Sequence, residues 1–306
     1  MTGDRQQVLI GVPAWRATQF LAETVRTILA QTYPNFVVLI SIDGNDRATY
    51  EVCASFESDP RVKVVLQPKR LGWGRNTAFL HRAAIDLGAD YCCIQPHDDL
   101  MEPQYVQALV EAMQERPAAA VVYTDIGVFG LAGGVAHQDS VTGPALLRLE
   151  DMIRRHYSAV AYRGLTRVSA LSQVAPMSGN TALDFAADTI WMTRLATVGE
   201  LIRLPQVLYR KRIHTDNTHL KWNRWGTTQK LAAWKEHCLG MLREALAVAP
   251  DTESAQHLLT LSRERFLQTG AKISPFGPIM ENLRHVERKR LAAAFERDAA
   301  GMIARA

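Results

Sequence analysis

The chain has 306 residues, of which 47% are hydrophobic and 22% are charged, and its formal net charge is +4. These values are typical of a globular protein with one large domain, or with a domain and an appendage. The net charge is too small to argue for nucleic acid, and no nucleic acid partner is predicted. A mildly basic surface also suits diphosphates or acidic lipid head groups.

The start of the chain is polar, and no run of about 18 apolar residues occurs, so neither a secretory signal nor a membrane span is predicted. The four cysteines stand at positions 53, 92, 93 and 238, without the spacing of a zinc site. This pattern predicts buried, reduced thiols in a cytoplasmic protein.

Short β-rich runs alternate with helical patterns over the first 125 residues. Strands are predicted at 8–12, 36–42, 62–66, 91–95 and 119–124. This order predicts an α/β fold with a mostly parallel, Rossmann-like sheet flanked by helices. Ligands bind beyond the carboxyl ends of the strands in such sheets. Polar residues of interest follow those ends: Asp43, Arg75, Asn76, Asp98 and Asp99.

The rest of the chain is less regular and then helical. A helix is predicted at 183–198, two short strands at 201–204 and 207–212, and helices from residue 227 onward. We therefore predict a first domain over residues 1–222, divided into halves at 1–125 and 126–222. Residues 223–306 are predicted to form a helical C-terminal appendage.

The strongest chemical signal is His97-Asp98-Asp99, directly after a buried strand. Adjacent carboxylates are costly there unless a cation or a ribose occupies them. Mn²⁺ or Mg²⁺ takes one or two carboxylates together with diphosphate oxygens. The alternative is a solvated acidic turn.

Two further signals follow neighbouring strands. Asp43 can accept a hydrogen bond from a base or a ribose hydroxyl, although aspartate is also common in plain turns. The segment Gly72-Trp73-Gly74-Arg75-Asn76 permits close approach to a ligand, and Arg75 can pair with phosphate. The alternative for this segment is a turn followed by a surface arginine.

Two more signals lie in the second half of the chain. Asp188 is an acid early in an apolar helix, with Trp191 three residues later. It can act as a general base with the tryptophan against a sugar face, or it can simply stabilise the helix N-terminus. The run from Leu208 to His214 offers Arg212 to a phosphate and His214 to a metal; a basic solvated face is the alternative.

Taken together, these segments resemble the family 2 glycosyltransferases, whose fold is the GT-A type. The resemblance covers roughly residues 8–219. It implies that residues 1–125 form a nucleotide-binding half and residues 126–222 an acceptor or catalytic half. It rests on segments in the family's order: Ile10–Trp15, Thr27–Phe36, Ser41–Asp46, Gly72–Asn76, His97–Asp99, Ala187–Asp188 and Leu208–His214.

The resemblance implies an inverting transfer from a UDP, GDP or dTDP sugar to a glycan or lipid-linked acceptor. Such reactions build polysaccharide, lipopolysaccharide or other glycoconjugates. His97-Asp98-Asp99 stands at the family's metal motif, with Asp99 favoured on the metal, and Asp188 stands at its catalytic base. The donor would contact Pro13, Asp43, Arg75, Asn76, Asp98, Trp191 and Arg212.

Two positions depart from the family pattern. His97 occupies the first acidic position of the metal motif, and Ala187 replaces the acid that precedes the base. A catalytically inactive nucleotide-sugar-binding protein is therefore an alternative. A dinucleotide-dependent oxidoreductase is disfavoured, because Thr77 replaces the third glycine of its fingerprint and the segment follows the wrong strand.

The C-terminal helices offer two interpretations. Apolar residues alternate there with arginines and lysines over positions 283–303. This pattern suits contact with the inner face of an anionic membrane. The favoured alternative is packing on the chain's own domain or on a second copy in a homo-oligomer.

Overall fold

The computed structural model describes residues 6–155, 159–180, 182, 184–269 and 277–303. The strands are β1 (Val8–Ala14), β2 (Phe36–Ile42), β3 (Val62–Leu66), β4 (Tyr91–Ile94), β5 (Leu100–Met101), β6 (Ala119–Gly130), β7 (Gly134–Ala136), β8 (Leu165–Arg167) and β9 (Glu200–Ile213).

The helices in the first two thirds of the chain are α1 (Leu21–Leu29), α2 (Arg47–Ala54), α3 (Trp73–Asp86), α4 (Tyr105–Glu115), α5 (Ala145–Arg155), α6 (Val168–Leu171) and α7 (Ala187–Val198). They are followed by α8 (Thr218–Asn223), α9 (Thr227–Leu246), α10 (Thr252–Leu267), α11 (Gly277–Asn282) and α12 (His285–Ile303). A short 3-10 helix covers Ala161–Arg163.

The strands form one sheet in the order β3-β2-β1-β4-β8-β6-β9-β5, with β7 paired to β6. β1 runs parallel to β2 and β4, and β2 runs parallel to β3. The second half is antiparallel in its β4–β8, β6–β8 and β5–β9 pairs. The sheet is therefore mixed: the parallel prediction holds for its first four strands, and the short β8 inserts between β4 and β6.

The central parallel strands β1 and β4 are buried on both faces. All seven residues of β1 are buried, as its continuous apolar sequence requires. Gly11 lies under α3, where an added Cβ would sit 3.0 Å from Leu80 Cβ. Helix α1 buries Leu21, Val25 and Ile28 on one face. This close packing fixes the ends of β1, β2 and β4 at a common edge.

The chain forms two compact units, each assembled from several segments. The first unit comprises Met1–Ser140, Val160–Gly179 and Leu201–His214. The second comprises Val141–Ala159, Asn180–Glu200 and Thr215–Ala306. The division at residues 125 and 222 stays a prediction.

The second unit is helical and packs closely. At Gly240 on α9, an added Cβ would meet Ile190 of α7 at 2.5 Å. Trp234 of α9 is fully buried, and its Nε1 donates to the Phe266 carbonyl at 3.2 Å. On α12, Phe295 is buried and stacks on Phe266 with 5.1 Å between ring centroids. This packing favours α12 as a helix of its own domain over a membrane-surface helix.

Within the described part of the chain, every helix is too short or too polar to cross a membrane.

Candidate active site

Asp98 and His214 meet at the end of β4. Asp98 Oδ2 lies 2.8 Å from His214 Nε2, and both side chains are largely buried. The Phe20 ring packs against His214, with 4.9 Å between centroids. Burial acts to raise the pKa of Asp98, but the neighbouring His97 and His214 outweigh it and hold the pKa below its usual range. Asp98 is therefore a carboxylate at neutral pH.

Asp99, the next residue, is buried and holds neighbouring segments in place through hydrogen bonds. Its carboxylate accepts hydrogen bonds from Tyr209 Oη at 2.8 Å, the Arg212 backbone N–H at 2.9 Å and Arg163 Nε at 3.2 Å. Only 2% of the residue is exposed. Three of the roughly four lone-pair positions of a carboxylate are thus filled. The geometry favours Asp98 over Asp99 as the metal-facing group, and metal binding by Asp99 stays a prediction.

The donor set suits a cation that its substrate helps to bind. Among the described residues, no three histidine, cysteine or acidic side chains cluster as a metal site. Asp98 and His214 supply one carboxylate and one imidazole. Mg²⁺ and Mn²⁺ commonly take one or two protein carboxylates and complete their shell with phosphates and water. The pair therefore fits such an ion when a diphosphate is bound.

Arg212 supports the turn that carries Asp98. Its Nε donates to the Asp98 carbonyl at 3.0 Å, and its Nη2 donates to Glu23 Oε2 at 2.5 Å. The guanidinium also lies over the rings of Phe20 and Phe129, at 4.5 and 4.6 Å. Arg212 is thus near the acidic turn, and its contact with a phosphate stays a prediction.

Asp43 shapes the loop between β3 and α3. Its carboxylate accepts the backbone N–H groups of Leu71 at 2.5 Å and Gly72 at 3.0 Å. Gly72 has a φ of 84°, which glycine adopts without steric cost. A carboxylate can accept further hydrogen bonds beyond these two. The contact of Asp43 with a base or a ribose therefore stays a prediction.

Asn76 is structural in the described contacts, whereas Arg75 is exposed. Asn76 is 1% exposed; its Oδ1 accepts from Ser41 Oγ at 2.5 Å, and its Nδ2 donates to the Ser41 carbonyl at 2.9 Å. These bonds tie α3 to the end of β2. Pro13 is buried, and its carbonyl lies 3.3 Å from His97 Nδ1. Donor contacts from Arg75, Asn76 and Pro13 stay predictions.

The sequence reasoning missed a pair beside Asp43. The Arg70 guanidinium lies 3.7 Å from the centroid of the Trp15 ring, and its Nε is 4.0 Å from Asp43 Oδ2. Ala14 and Ile42 are register partners in β1 and β2, so the next residues, Trp15 and Asp43, emerge side by side. The loop after β3 then brings Arg70 to the same place, so spacing along the chain does not reveal the pair.

In the helical unit, Asp188 follows a strained turn. It lies in the first turn of α7, and its Oδ1 accepts the Thr189 N–H at 3.0 Å. Asp184 and Ala186 have φ values of 60° and 48°, which are unusual without glycine. The Asn180 N–H donates to Asp184 Oδ1 at 3.1 Å and so braces the turn. Such strain is concentrated at functional sites.

Trp191 is buried, with 3% of the residue exposed. The Arg194 guanidinium lies 5.7 Å from its ring centroid. The predicted contact of Trp191 with a sugar stays a prediction. Its apolar helix context is explained by packing.

The sequence is similar to a known protein family. The sequence profile described as "Glycosyl transferase family 2" matches residues 9–164, which are 156 of the 306 residues. The chain is 28% identical over 117 residues to the glycosyltransferase GlyG of Streptococcus pneumoniae, covering 38% of each chain. It is 25% identical over 220 residues to a chondroitin synthase of Pasteurella multocida, covering 70% of this chain and 21% of that protein. The chain thus spans well under half the length of these relatives.

Solved structures share the fold. Staphylococcus aureus TarS 1–349 in complex with UDP superposes with a TM-score of 0.66 at 13% identity, covering 93% of this chain and 77% of that one. The mannosyltransferase PcManGT of Pyrobaculum calidifontis, in complex with GDP-Man and Mn²⁺, gives 0.58 at 14% identity, with coverages of 97% and 80%. This likeness confirms the predicted GT-A fold. With the profile match over more than half of its residues, the chain belongs to glycosyl transferase family 2.

Proposed function

We propose that this chain transfers a sugar from a nucleoside-diphosphate sugar to an acceptor hydroxyl, with inversion and with a divalent cation as cofactor. The observation that carries the metal-assisted part is the Asp98–His214 pair at the end of β4. The donor class is supported by structural neighbours that bind UDP, UDP-GlcNAc or GDP-Man, one of them with Mn²⁺.

Different residues would bind the metal, position the strand and contact the nucleoside. Asp98 and His214 would hold Mn²⁺ or Mg²⁺, which when bound supplies charge neutralisation for a leaving diphosphate. Asp99 holds β9 against the turn and so keeps His214 in place. Asp43 and the neighbouring Trp15 would contact the nucleoside at the sheet edge.

Asp188 would accept the proton of the acceptor hydroxyl. It stands in the first turn of α7, next to the braced turn, so its carboxylate is presented by a fixed backbone. A positioned base of this kind contributes about 10²–10⁴-fold to a rate. Ala187 leaves Asp188 without an acidic neighbour in sequence.

A second candidate is a protein that binds a nucleotide sugar without transferring it. The replacement of the usual acids by His97 and Ala187 favours this candidate. Release of free sugar from the donor, or transfer to an acceptor, would exclude it.

The acceptor is proposed to be a glycan or a lipid-linked sugar, within polysaccharide, lipopolysaccharide or related synthesis. The proposal includes a cytoplasmic location, at the inner face of the membrane where the acceptor is lipid-linked. Homo-oligomerisation is an open option that a measurement of molecular mass in solution decides.

The test is a thermal-unfolding screen of UDP, GDP, dTDP, CDP and NAD, each with Mn²⁺ and with EDTA. A ligand at about 100 times its Kd stabilises a protein by roughly 2.7 kcal/mol, which raises Tm by several degrees. A rise with one nucleoside diphosphate that EDTA removes supports the proposal. A rise with NAD alone, or with none of the ligands, would contradict it.

A further inference from the structure

Arg265 is a buried cation that meets no carboxylate in the part of the chain described. It lies on α10 and is 4% exposed. Its Nε and Nη2 are out of reach of solvent and donate no hydrogen bond to any residue that the structure describes. Its Nη1 donates to Gln268 Oε1 at 3.0 Å, and the guanidinium lies 5.2 Å from the Trp234 ring centroid. A neutral amide and an aromatic face offset only part of the cost of burying this charge.

In two other arginines of this protein, the edge of the guanidinium that carries Nε and Nη2 binds a carboxylate. Arg194 grips Glu244 through Nε at 2.6 Å and Nη2 at 2.7 Å. Arg203 grips Asp125 through the same two atoms, at 2.7 and 2.8 Å. In both cases two parallel N–H groups meet the two oxygens of one carboxylate. Arg265 has the same pair of donors and no such acceptor among the described residues.

Arg265 also lines a cavity of about 430 Å³ in the helical unit. This volume lies in the usual range of small-ligand sites, roughly 300–1,000 Å³. Arg154, which is half exposed and lies 3.9 Å from Glu150 Oε2, also lines the wall. Glu264 also lines the cavity, but no ion pair joins it to Arg265 within the described ranges. Gln268, the acceptor of Nη1, belongs to the same wall.

We propose that this cavity binds a small oxyanion, the phosphate or carboxylate group of a ligand, on the guanidinium of Arg265. The proposal requires the neutral Gln268 side chain, which accepts from Nη1, to turn aside so that an anion entering from the cavity reaches Nε and Nη2. Burial lowers the pKa of Arg265 below its usual range, and a bound anion would oppose this effect.

The test measures thermal unfolding in EDTA at constant ionic strength, with inorganic phosphate or citrate replacing chloride. The wild-type Tm should rise and saturate with one of these anions, whereas Arg265→Met should show only the weak, unsaturated rise that such salts give any protein. A rise with phosphate alone identifies a phosphate ligand, and a rise with citrate alone identifies a carboxylate.

Arg148 provides a matched control. It is similarly buried, at 9% exposed, but its Nε donates to the Ala196 carbonyl at 2.8 Å and its Nη2 to the Thr197 carbonyl at 3.2 Å. Arg148→Met should therefore lower Tm and keep the saturable rise with anion. Asp98→Asn should also keep that rise, so this result is independent of the sugar-transfer proposal.

A wild-type Tm that responds to neither anion, or a saturable rise that Arg265→Met retains, would overturn the proposal. If Arg265→Met does not fold, Arg265→Lys keeps the charge and removes the two-donor edge. Loss of a charged hydrogen bond should then shift the anion midpoint to a concentration about tenfold higher or more. An unchanged midpoint in that variant would equally reject the site.

Discussion

His214 Nε2 lies 2.8 Å from Asp98 Oδ2, although 116 positions separate the two residues in the chain. The contact depends on β9, which carries His214 past the end of β4. Asp99 secures that strand, because it accepts hydrogen bonds from Tyr209 and from the Arg212 backbone. Two adjacent aspartates therefore have different tasks: Asp99 holds the strand, and Asp98 faces the imidazole.

Asp98→Asn should weaken Mn²⁺ binding in the presence of the matching nucleoside diphosphate. Mutation of a residue that hydrogen-bonds to a metal ligand lowers metal affinity by about 10–100-fold. Loss of the charge of a ligand itself should lower it at least as much. Isothermal titration with Mn²⁺ measures this effect. The control is Asp139→Asn, an exposed carboxylate of the same unit, which should bind as the wild type does. Equal affinity in the Asp98 variant would remove the metal assignment.

Asp99→Asn should destabilise the fold more than Asp98→Asn. It removes the charge that Arg163 Nε faces at 3.2 Å, and breaking a buried pair costs about 3–5 kcal/mol. Tyr209→Phe removes one donor to the same carboxylate and should cost about 1–3 kcal/mol. Urea unfolding gives the free energies. Similar stabilities for the Asp98 and Asp99 variants would show that the hydrogen bonds of Asp99 do not stabilise the fold as described.

Asp188→Asn should lower the rate of transfer by about 10²–10⁴-fold and leave donor binding intact, because only the proton acceptor is lost. Initial rates with the identified donor, together with its thermal shift, separate the two effects. Asp184→Asn is a useful companion, since asparagine tolerates the left-handed backbone of Asp184 and can still accept the Asn180 N–H. Normal transfer by the Asp188 variant would reassign the base.

Stability should fall below neutral pH, in part through His237 in the helical unit. The pKa of His237 is lowered from its ordinary 6.5 to about 3, mainly by burial and also by the Arg265 charge. The Ala186 backbone acts in the opposite direction and raises the pKa. Between pH 6.5 and 3 the unfolded chain binds a proton that the folded chain does not. The free energy of unfolding therefore decreases as pH falls through this window.

His237→Phe should remove this part of the pH dependence. From pH 7 to pH 5 the wild type should lose about 2 kcal/mol more than the variant, because each pH unit below 6.5 contributes about 1.4 kcal/mol. The phenyl ring can keep the stacking on Trp234, whose centroid lies 5.0 Å from that of His237. Parallel urea curves at the two pH values give the comparison, and equal losses would mean that His237 does not titrate as described.

Much of the fold followed from local pattern. The apolar runs of β1 and β2 gave their strands at positions 8 and 36, and α7 ends at Val198 as predicted. These elements are local: burial on both faces requires continuous apolar sequence, and Gly199 ends the helix. Asp98 and Asp188 could be singled out for the same reason, since each follows a recognisable strand or helix start.

The sequence by itself determined the family, the positions of the parallel strands along the chain and the candidate acids. The tertiary structure decided which side chains those acids meet. The different surroundings of Asp98 and Asp99, the burial of Trp191 and the lack of a carboxylate at Arg265 among the described residues all depend on residues distant in the chain. Such contacts arise from sheet register and helix packing, and those are set by the assembled core and not by the spacing of residues along the sequence.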